Sequence, residues 1–175
     1  MPRLFFALWP DDLTRSKLAA TLASLPALSG RPVPLRNLHI TLVFLGDITN
    51  EQQQQLIAEA PSVQAPPFDL VLSQLGCWPQ ASVAWLEPEA VPPPLPDLVR
   101  QLGTVCEQAG LTPDGRPYQP HLTIARKIKR VPAANIAPIH WQIREFALIE
   151  SVRDRTGSEY RPLAHWPLIR DENMG

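Results

Sequence analysis

The stretch "NLHITLVFLG", residues 37–46, places a histidine and a threonine two positions apart in an otherwise apolar run. In a β-strand, side chains two apart project from the same face, so His39 and Thr41 point one way while Ile40 and Leu42 point the other. Burying such polar groups without partners costs about 1–3 kcal/mol each. The pattern therefore predicts a strand whose polar face borders a cleft.

The same pattern returns in "QPHLTIAR", residues 119–126, where His121 and Thr123 share one face of a second apolar strand. Histidine titrates near neutrality, so one imidazole can accept a proton while the other donates one. Threonine hydroxyls can hydrogen-bond the oxygens of a phosphoryl group. Displacement at phosphorus places the attacking and leaving groups on opposite sides. Two facing H-x-T strands therefore predict acid–base chemistry at phosphorus.

Each motif is followed by a further candidate residue. Phe44 comes five positions after the first histidine, and Arg126 comes five positions after the second. An arginine here can offset phosphate charge through a forked contact. Strict alternation would place both side chains opposite their histidines, so a bulge, twist or strand end is needed to bring them to the cleft.

Composition limits the function classes. The chain has 175 residues, of which 45% are hydrophobic and 19% charged, which predicts one ordered folding unit. Its net charge of -1 argues against a surface that coats polyanions, so any nucleic acid must be held locally. The one dense basic run, "RKIKR" at 126–130, is by itself typical of a solvated strand end or loop.

The cellular compartment follows from simple features. Cys77 and Cys106 lie far apart and form no metal-ligand spacing, which predicts a reduced, cytoplasmic protein. The apolar N-terminal run is too short for a signal peptide, and no stretch predicts a membrane span.

Hydrophobic periodicity predicts alternating strands and helices. Asp11 can cap a first helix, Thr49 and Gln52 fit a capping box for a second that runs to about residue 60, and a third ends at Gly110. The proline-rich segment 87–96 is predicted as an extended linker. Strands are predicted at 4–9, 39–45, 68–78, 82–87, 121–126, 140–152 and 160–169.

Several alternatives remain open at this point. A zinc site would use three or four ligands at other spacings, although a metal bridging the two motif histidines is possible. A noncatalytic module could use the same residues to clamp a terminal phosphate.

Other residues with relevant side chains lie outside the two motifs. His140 and His165 lack a threonine two positions on, and we expect ordinary structural or surface roles for them. Trp78 and Trp85 could stack a base but are expected in core or hairpin packing. Tyr160 and Arg161 lie on the last predicted strand and are left unassigned.

The paired motifs "HITL" at 39–42 and "HLTI" at 121–124 resemble the two-histidine (2H) phosphoesterase superfamily, and within it the RNA 2',3'-cyclic phosphodiesterases, historically called 2'-5' RNA ligases. The likeness runs almost end to end, through "RLFFAL", "RPVPLRNLHITLVFLG", "RPYQPHLTIAR" and "YRPL". It implies an α+β fold of two pseudo-symmetric lobes, each an antiparallel sheet backed by helices, with both H-x-T motifs in a central cleft. The expected single domain covers residues 1–175.

The resemblance also implies an activity. Such enzymes hydrolyse RNA 2',3'-cyclic phosphate ends to 2'-phosphomonoesters without metal or cofactor, and they join RNA ends weakly and reversibly through 2'-5' bonds. The implied partner is RNA or a nucleotide with such an end. The protein is expected to be a monomer without membrane contact. Relatives in the superfamily cleave other cyclic phosphates or 2'-5' linked oligonucleotides, so these substrates stay open as alternatives. The implied roles are proton donor for His39, proton acceptor for His121, phosphate binding for Thr41, Thr123 and Arg126, and nucleotide binding for Phe44.

Overall fold

Nine β-strands form one antiparallel sheet in the part of the chain, residues 1–169, that the computed structural model describes. The strands are β1 (Arg3–Leu8), β2 (Arg31–Pro32), β3 (Ile40–Asp47), β4 (Phe68–Trp78), β5 (Val83–Pro88), β6 (Leu122–Arg126), β7 (Ile139–Ile143), β8 (Glu145–Asp154) and β9 (Gly157–Pro167). The helices are α1 (Asp12–Ser24), α2 (Asn50–Glu59) and α3 (Pro94–Gln108), with short 3-10 turns at Leu35–Asn37 and Ala60–Ser62. None of these helices is long and apolar enough to cross a bilayer. The last six residues of the predicted domain lie outside the described range.

The sheet has a pseudo-two-fold arrangement. Its strand order is β7-β4-β5-β6-β3-β1-β8-β9, with β2 added beside β6. At the centre, β3 and β6 meet through the antiparallel pairing of Ile40 with Leu122, which occupy the same position in the two H-x-T motifs. Moving outward, β3-β1-β8-β9 on one side corresponds to β6-β5-β4-β7 on the other. The predicted α+β fold with two pseudo-symmetric lobes is confirmed, and the two lobes share one continuous sheet.

The helices tie the lobes together. α1 follows β1 in the chain but packs against β7 of the other lobe, where Lys17 donates from Nζ to the carbonyl of His140 at 3.1 Å. In the same way, α3 follows β5 but packs against β3. The main hydrophobic core is a single cluster that includes Phe6, Leu70 and Leu122 from both lobes. Separating the lobes would therefore expose apolar surface from each.

The helix starts follow from the side chains predicted to cap them. Asp11 accepts a hydrogen bond from the backbone N–H of Thr14 at 2.7 Å and caps α1. Thr49 and Gln52 exchange the two hydrogen bonds of a capping box at the start of α2, at 3.0 and 3.1 Å. Both predicted caps are confirmed, and each satisfies backbone donors that the first helical turn leaves free.

Two predicted boundaries were wrong. The linker predicted over residues 87–96 is shorter, because β5 runs to Pro88 and α3 begins at Pro94. Prolines fit the first turn of a helix, where no backbone N–H is needed for the ladder. The strand predicted over 140–152 is interrupted at Arg144, so that β7 and β8 are separate strands at distant positions in the sheet.

A pair of glycine substitutions tests the packing beside the second motif strand. Gly30 and Gly110 both have positive φ, at +98° and +79°. An added Cβ at Gly30 would lie 2.6 Å from the Arg126 carbonyl oxygen, whereas one at Gly110 meets nothing within 4 Å. We expect Gly110→Ala to lower the free energy of unfolding by about 1 kcal/mol and Gly30→Ala by at least about twice as much. Urea denaturation of both variants measures this, and equal losses would contradict the close backbone contact.

Candidate active site

The four motif side chains meet at the centre of the sheet. Continuing the Ile40–Leu122 register by one residue in each direction sets the histidine of each motif across from the threonine of the other. Ile40 and Leu122 are fully buried in the core, so the polar side chains lie on the opposite face. That face borders a cleft of about 860 Å³ whose lining includes His39, Thr41, His121 and Thr123.

Two matching β-bulges bring the next candidates to the same cleft. The pairing of β1 with β3 skips Leu42, and the pairing of β5 with β6 skips Ile124. An extra residue shifts the alternation by one position. Phe44 and Arg126 therefore line the cleft together with the histidines, by means of the bulge that was one of the expected ways to bring them there. Phe44 is 51% exposed.

Backbone carbonyls fix the tautomers of both imidazoles. The Nδ1 atom of His39 lies 2.7 Å from the carbonyl oxygen of Asn37, and Nδ1 of His121 lies 2.9 Å from that of Gln119. A carbonyl oxygen only accepts, so each Nδ1 carries a proton and donates it. This leaves Nε2 as the titrating nitrogen of both rings, and in His39 it lies 3.1 Å from the Thr41 hydroxyl oxygen.

The surroundings favour neutral histidines in the free protein. The pKa of His39 is lowered to about 4, chiefly by burial and to a smaller degree by the charge of Arg126, against the opposing effect of the hydrogen bond to Asn37. Burial and Arg126 also lower the pKa of His121. Both imidazoles are therefore neutral at pH 7. An anion in the cleft favours the charged form, so its binding raises both pKa values.

Aromatic rings enclose the first histidine. The His39 ring centroid lies 4.8 Å from that of Phe5 and 6.1 Å from that of Trp9, and Tyr160 contacts it edge-on at 5.2 Å. Tyr160, which the sequence left unassigned, thus forms part of the cleft wall. Arg161 follows it on β9 but lies outside the cleft lining and forms an ion pair with a neighbouring glutamate.

The second histidine has one aromatic neighbour. The Trp78 ring lies 4.6 Å from that of His121 and borders the cleft, in addition to the hairpin packing expected for it. Trp85 packs against Trp78 at 5.6 Å and does not line the cleft, in agreement with its predicted role. His140 and His165 are exposed and also lie outside the cleft.

Two positioning residues were not found from the sequence. Asn37 is 3% exposed; its side chain donates to the Ser158 carbonyl at 2.8 Å and accepts from the Tyr160 N–H at 3.3 Å. It thereby ties β9 to the turn whose carbonyl holds the first histidine. The Tyr118 hydroxyl donates to the Thr41 carbonyl at 2.9 Å, which links the loop before the second motif to the first motif. Asn37 ends a short 3-10 turn and Tyr118 lies in a loop, so no periodic signal marks either residue.

The cleft is strongly basic although the chain is nearly neutral. Among the described residues, the ion pairs involve arginines at positions 100, 116 and 161, none of which lines the cleft. The same residues contain no cluster of three or more histidine, cysteine or acidic side chains that could hold a metal ion. One acidic residue, Asp154, borders the cleft, and its arginines are Arg3, Arg31, Arg36, Arg126 and Arg153. The local charge suits a polyanion.

Comparison with known proteins gives consistent results. The family model of the 2'-5' RNA ligase superfamily matches residues 9–155. The chain is 32% identical over 173 residues to an RNA 2',3'-cyclic phosphodiesterase of Escherichia coli K12, covering 96% of this chain and 97% of that protein. It is 29% identical to a protein of the same name from Archaeoglobus fulgidus, with 92% and 97% covered. The structure of E. coli LigT complexed with 3'-AMP superposes with a TM-score of 0.88 at 31% identity, covering 97% and 100% of the two chains.

The protonation state of the free cleft can be measured directly. We expect the His39 ring to titrate at about 4, because burial disfavours its charged form. Added inorganic phosphate should raise the pKa of both cleft histidines, whereas sodium chloride at the same ionic strength should not. NMR titration of the ring signals, assigned with single histidine variants, measures both effects. A His39 ring that titrates at the ordinary histidine pKa without ligand would contradict the expected burial effect.

Proposed function

The chain belongs to the 2'-5' RNA ligase superfamily, and we propose that it hydrolyses the 2',3'-cyclic phosphate ends of RNA to 2'-phosphomonoesters. The observation that carries this proposal is the pair of carbonyl-anchored imidazoles that border one arginine-rich cleft. Relatives that match nearly the full length of the chain are named for that activity. A cyclic phosphate needs both a proton acceptor and a proton donor for its opening, and the two motifs supply one each.

In the proposed mechanism, the phosphate oxygens bind between the hydroxyls of Thr41 and Thr123 and the guanidinium of Arg126. Nε2 of His121 takes a proton from water as the water oxygen attacks phosphorus. The bond from phosphorus to the 3'-oxygen breaks, and protonated Nε2 of His39 donates its proton to that oxygen. The bond to the 2'-oxygen remains, which leaves a 2'-phosphate and a free 3'-hydroxyl. The two histidines come from different lobes, which suits a displacement in which the attacking and leaving oxygens lie on opposite sides of phosphorus.

The unequal surroundings of the histidines support this assignment of roles. The low pKa of His39 makes its protonated form a strong acid, suited to protonating an alkoxide leaving group. In the complex, the negative charge of the substrate raises the pKa of His39, so that its ring takes up a proton from solvent. His121 has one aromatic neighbour instead of three and an exposed hydrogen bond to Gln119, so water can reach it.

Phe44 is proposed to stack against the base of the terminal nucleotide. Its ring is half exposed in the cleft, and the Arg3 guanidinium lies 5.2 Å from the ring centroid. This contact holds the ring in place through a cation–π interaction. A base stacked on an aromatic ring gains about 1–3 kcal/mol, independent of its identity.

Ligation uses the same groups with another nucleophile. A 5'-hydroxyl of a second RNA strand can replace water, and its attack yields a 2'-5' phosphodiester. The reaction exchanges one diester for another, so we propose that it is weak and reversible, and its reversal cleaves a 2'-5' linkage. The superfamily name supports this second activity.

The proposal extends to the state of the protein in the cell. We infer that residues 1–175 act as one two-lobed domain, because each lobe's helix packs on the other lobe. We propose a monomer, because both motif histidines, both motif threonines and Arg126 of one chain line the same cleft, so the proposed reaction needs no residue from a second copy. Cys77 and Cys106 are free thiols, which is in keeping with a reducing cytoplasm.

Alanine substitution of each motif histidine tests the mechanism. We expect His39→Ala and His121→Ala each to lower kcat by about 10²- to 10⁴-fold, because each removes one proton transfer. His140→Ala is the matched control, since that imidazole is exposed and outside the cleft. Turnover of adenosine 2',3'-cyclic phosphate with EDTA present, followed by identification of the product isomer, provides the measurement. A 3'-phosphate product, or binding of RNA ends without turnover, would contradict the proposed reaction.

The pH dependence should differ between kcat/KM and kcat. The profile of kcat/KM reflects the free protein, in which the pKa values of both histidines lie below 6.5. The midpoints of the rising and falling limbs of this bell-shaped profile should therefore both lie below pH 6.5. The profile of kcat reflects the complex, where the phosphate anion raises both pKa values and shifts the bell towards higher pH. Steady-state kinetics across the pH range measure both curves. Coincident curves would show that the anion does not act on the histidines.

A further inference from the structure

We propose that the cleft contains a second phosphate site, formed by Arg31, Arg36 and Arg153 around the β8–β9 turn, which binds an internal phosphodiester of the RNA strand. The inference rests on the proposed function and names its substrate class. The preferred substrate is an oligoribonucleotide with a cyclic phosphate end, rather than a mononucleotide.

The charge of the cleft exceeds what the reaction needs. A 2',3'-cyclic phosphate carries a single negative charge, and Arg126 already acts on both histidines. Four further arginines line the same cleft, and Arg3 among them lies over the Phe44 ring. The other three are exposed side chains that take no part in an ion pair within residues 1–169. Like charges held together in this way repel one another unless an anion lies between them.

The register of the short strand β2 places one of these arginines beside the catalytic phosphate site. Arg31 is the cross-strand partner of Arg126, an arrangement that is destabilising for two like charges. The Arg31 guanidinium turns towards the β8–β9 turn, where its nitrogen would lie 3.0 Å from a Cβ built on Gly157. Glycine at this position leaves the space that the guanidinium occupies. Arg31 thus connects the first phosphate site with the turn.

The other two arginines approach the same turn from different elements. Arg153 lies near the end of β8 and pairs across the turn with Ser158, and both residues line the cleft. Arg36 comes from the 3-10 turn before the first motif. The pKa of Asp154 is lowered by its hydrogen bonds from Thr156 and, to a smaller degree, by the charge of Arg36. Two arginines from the segment before the first motif and one from β8, more than 100 residues later, therefore line the cleft around one turn.

The single acidic residue at this site serves the turn itself. The Asp154 carboxylate accepts from the Thr156 backbone N–H at 2.7 Å and from its hydroxyl at 2.6 Å. One carboxylate cannot neutralise three guanidinium groups, so the site keeps a net positive charge. Forked guanidinium groups match the oxygens of a phosphodiester well.

The size of the cleft agrees with a longer ligand. Its volume of about 860 Å³ lies near the upper end of the roughly 300–1,000 Å³ that is usual for small-molecule pockets. A terminal nucleotide on Phe44 and the motifs leaves room for its neighbour. Asp154 and residues 156–158 of the turn line the same cleft, and we place the 5' neighbour of the terminal nucleotide against them.

Binding of product analogues tests the site without requiring turnover. The probes are adenosine 2'-phosphate, the dinucleotide ApA with a terminal 2'-phosphate, and the same dinucleotide with an uncharged methylphosphonate linkage. We expect the charged dinucleotide to bind about tenfold or more tightly than the mononucleotide, and the methylphosphonate to lose most of that gain. Isothermal titration calorimetry measures the three Kd values.

Arg36→Gln/Arg153→Gln is the informative variant, and Arg161→Gln is its matched control, because Arg161 lies on β9 near the same turn but outside the cleft. The double variant should remove most of the dinucleotide gain while changing mononucleotide Kd by less than about threefold. The salt dependence of log Kd for the dinucleotide should weaken by about 0.7 for the lost phosphate contact. The control should reproduce the unaltered protein.

The outcomes separate this inference from the proposed function. If the dinucleotide and mononucleotide lose affinity equally in the double variant, or if the methylphosphonate binds as tightly as the charged dinucleotide, the second phosphate site is wrong. If the charged dinucleotide is favoured as expected but no cyclic phosphate is hydrolysed, the site stands and the proposed reaction fails. Parallel kcat/KM measurements with the cyclic forms of the same probes supply that second readout.

Discussion

The pairing of Ile40 with Leu122 is the contact on which the rest of the cleft depends. It joins the two lobes at equivalent positions of their motif strands, so the same antiparallel geometry that buries two aliphatic side chains also presents two histidines and two threonines on the other face. One residue pair alone would be weak. The crossed packing of α1 on β7 and α3 on β3, around one hydrophobic core, keeps it in place. The contacts that stabilise the fold therefore also set the spacing of the two imidazoles.

Departures from regular structure refine this central geometry. A regular strand would turn Phe44 and Arg126 away from their histidines, and one skipped residue between each motif threonine and these side chains returns them to the cleft. Each histidine also lies one residue before its strand begins, where the carbonyl two positions earlier can accept from Nδ1. Both features occur in both lobes. The bulges and the histidine positions thus follow the pseudo-symmetry of the two lobes, and they orient the Nε2 atoms as well as the side chains around them.

The sequence predicted those parts of the molecule that have a local period or a local partner. Strands with apolar alternation, the Asp11 cap and the Thr49–Gln52 capping box were found because each signal spans only a few residues. The arginines around the β8–β9 turn had no such signal, since a net charge of -1 averages a basic cleft with an acidic remainder. Asn37, Tyr118 and Trp78 act through contacts with residues distant in the chain. Tertiary packing alone defines their partners, which a single sequence does not display.

The reaction proposed for this pseudo-symmetric scaffold is asymmetric, because the two histidines have different roles, and the asymmetry comes from what surrounds the motifs. His39 lies among Phe5, Trp9 and Tyr160, and its pKa falls to about 4, whereas His121 contacts a single indole. The bulge positions differ as well, with a phenyl ring in one lobe and a guanidinium in the other. Because burial and, to a smaller degree, the charge of Arg126 lower the pKa of both histidines, both rings are neutral at pH 7 in the free protein. In the proposed mechanism, the negative charge of the bound substrate raises the pKa of His39, so that its ring takes up a proton from solvent and can donate it to the leaving oxygen.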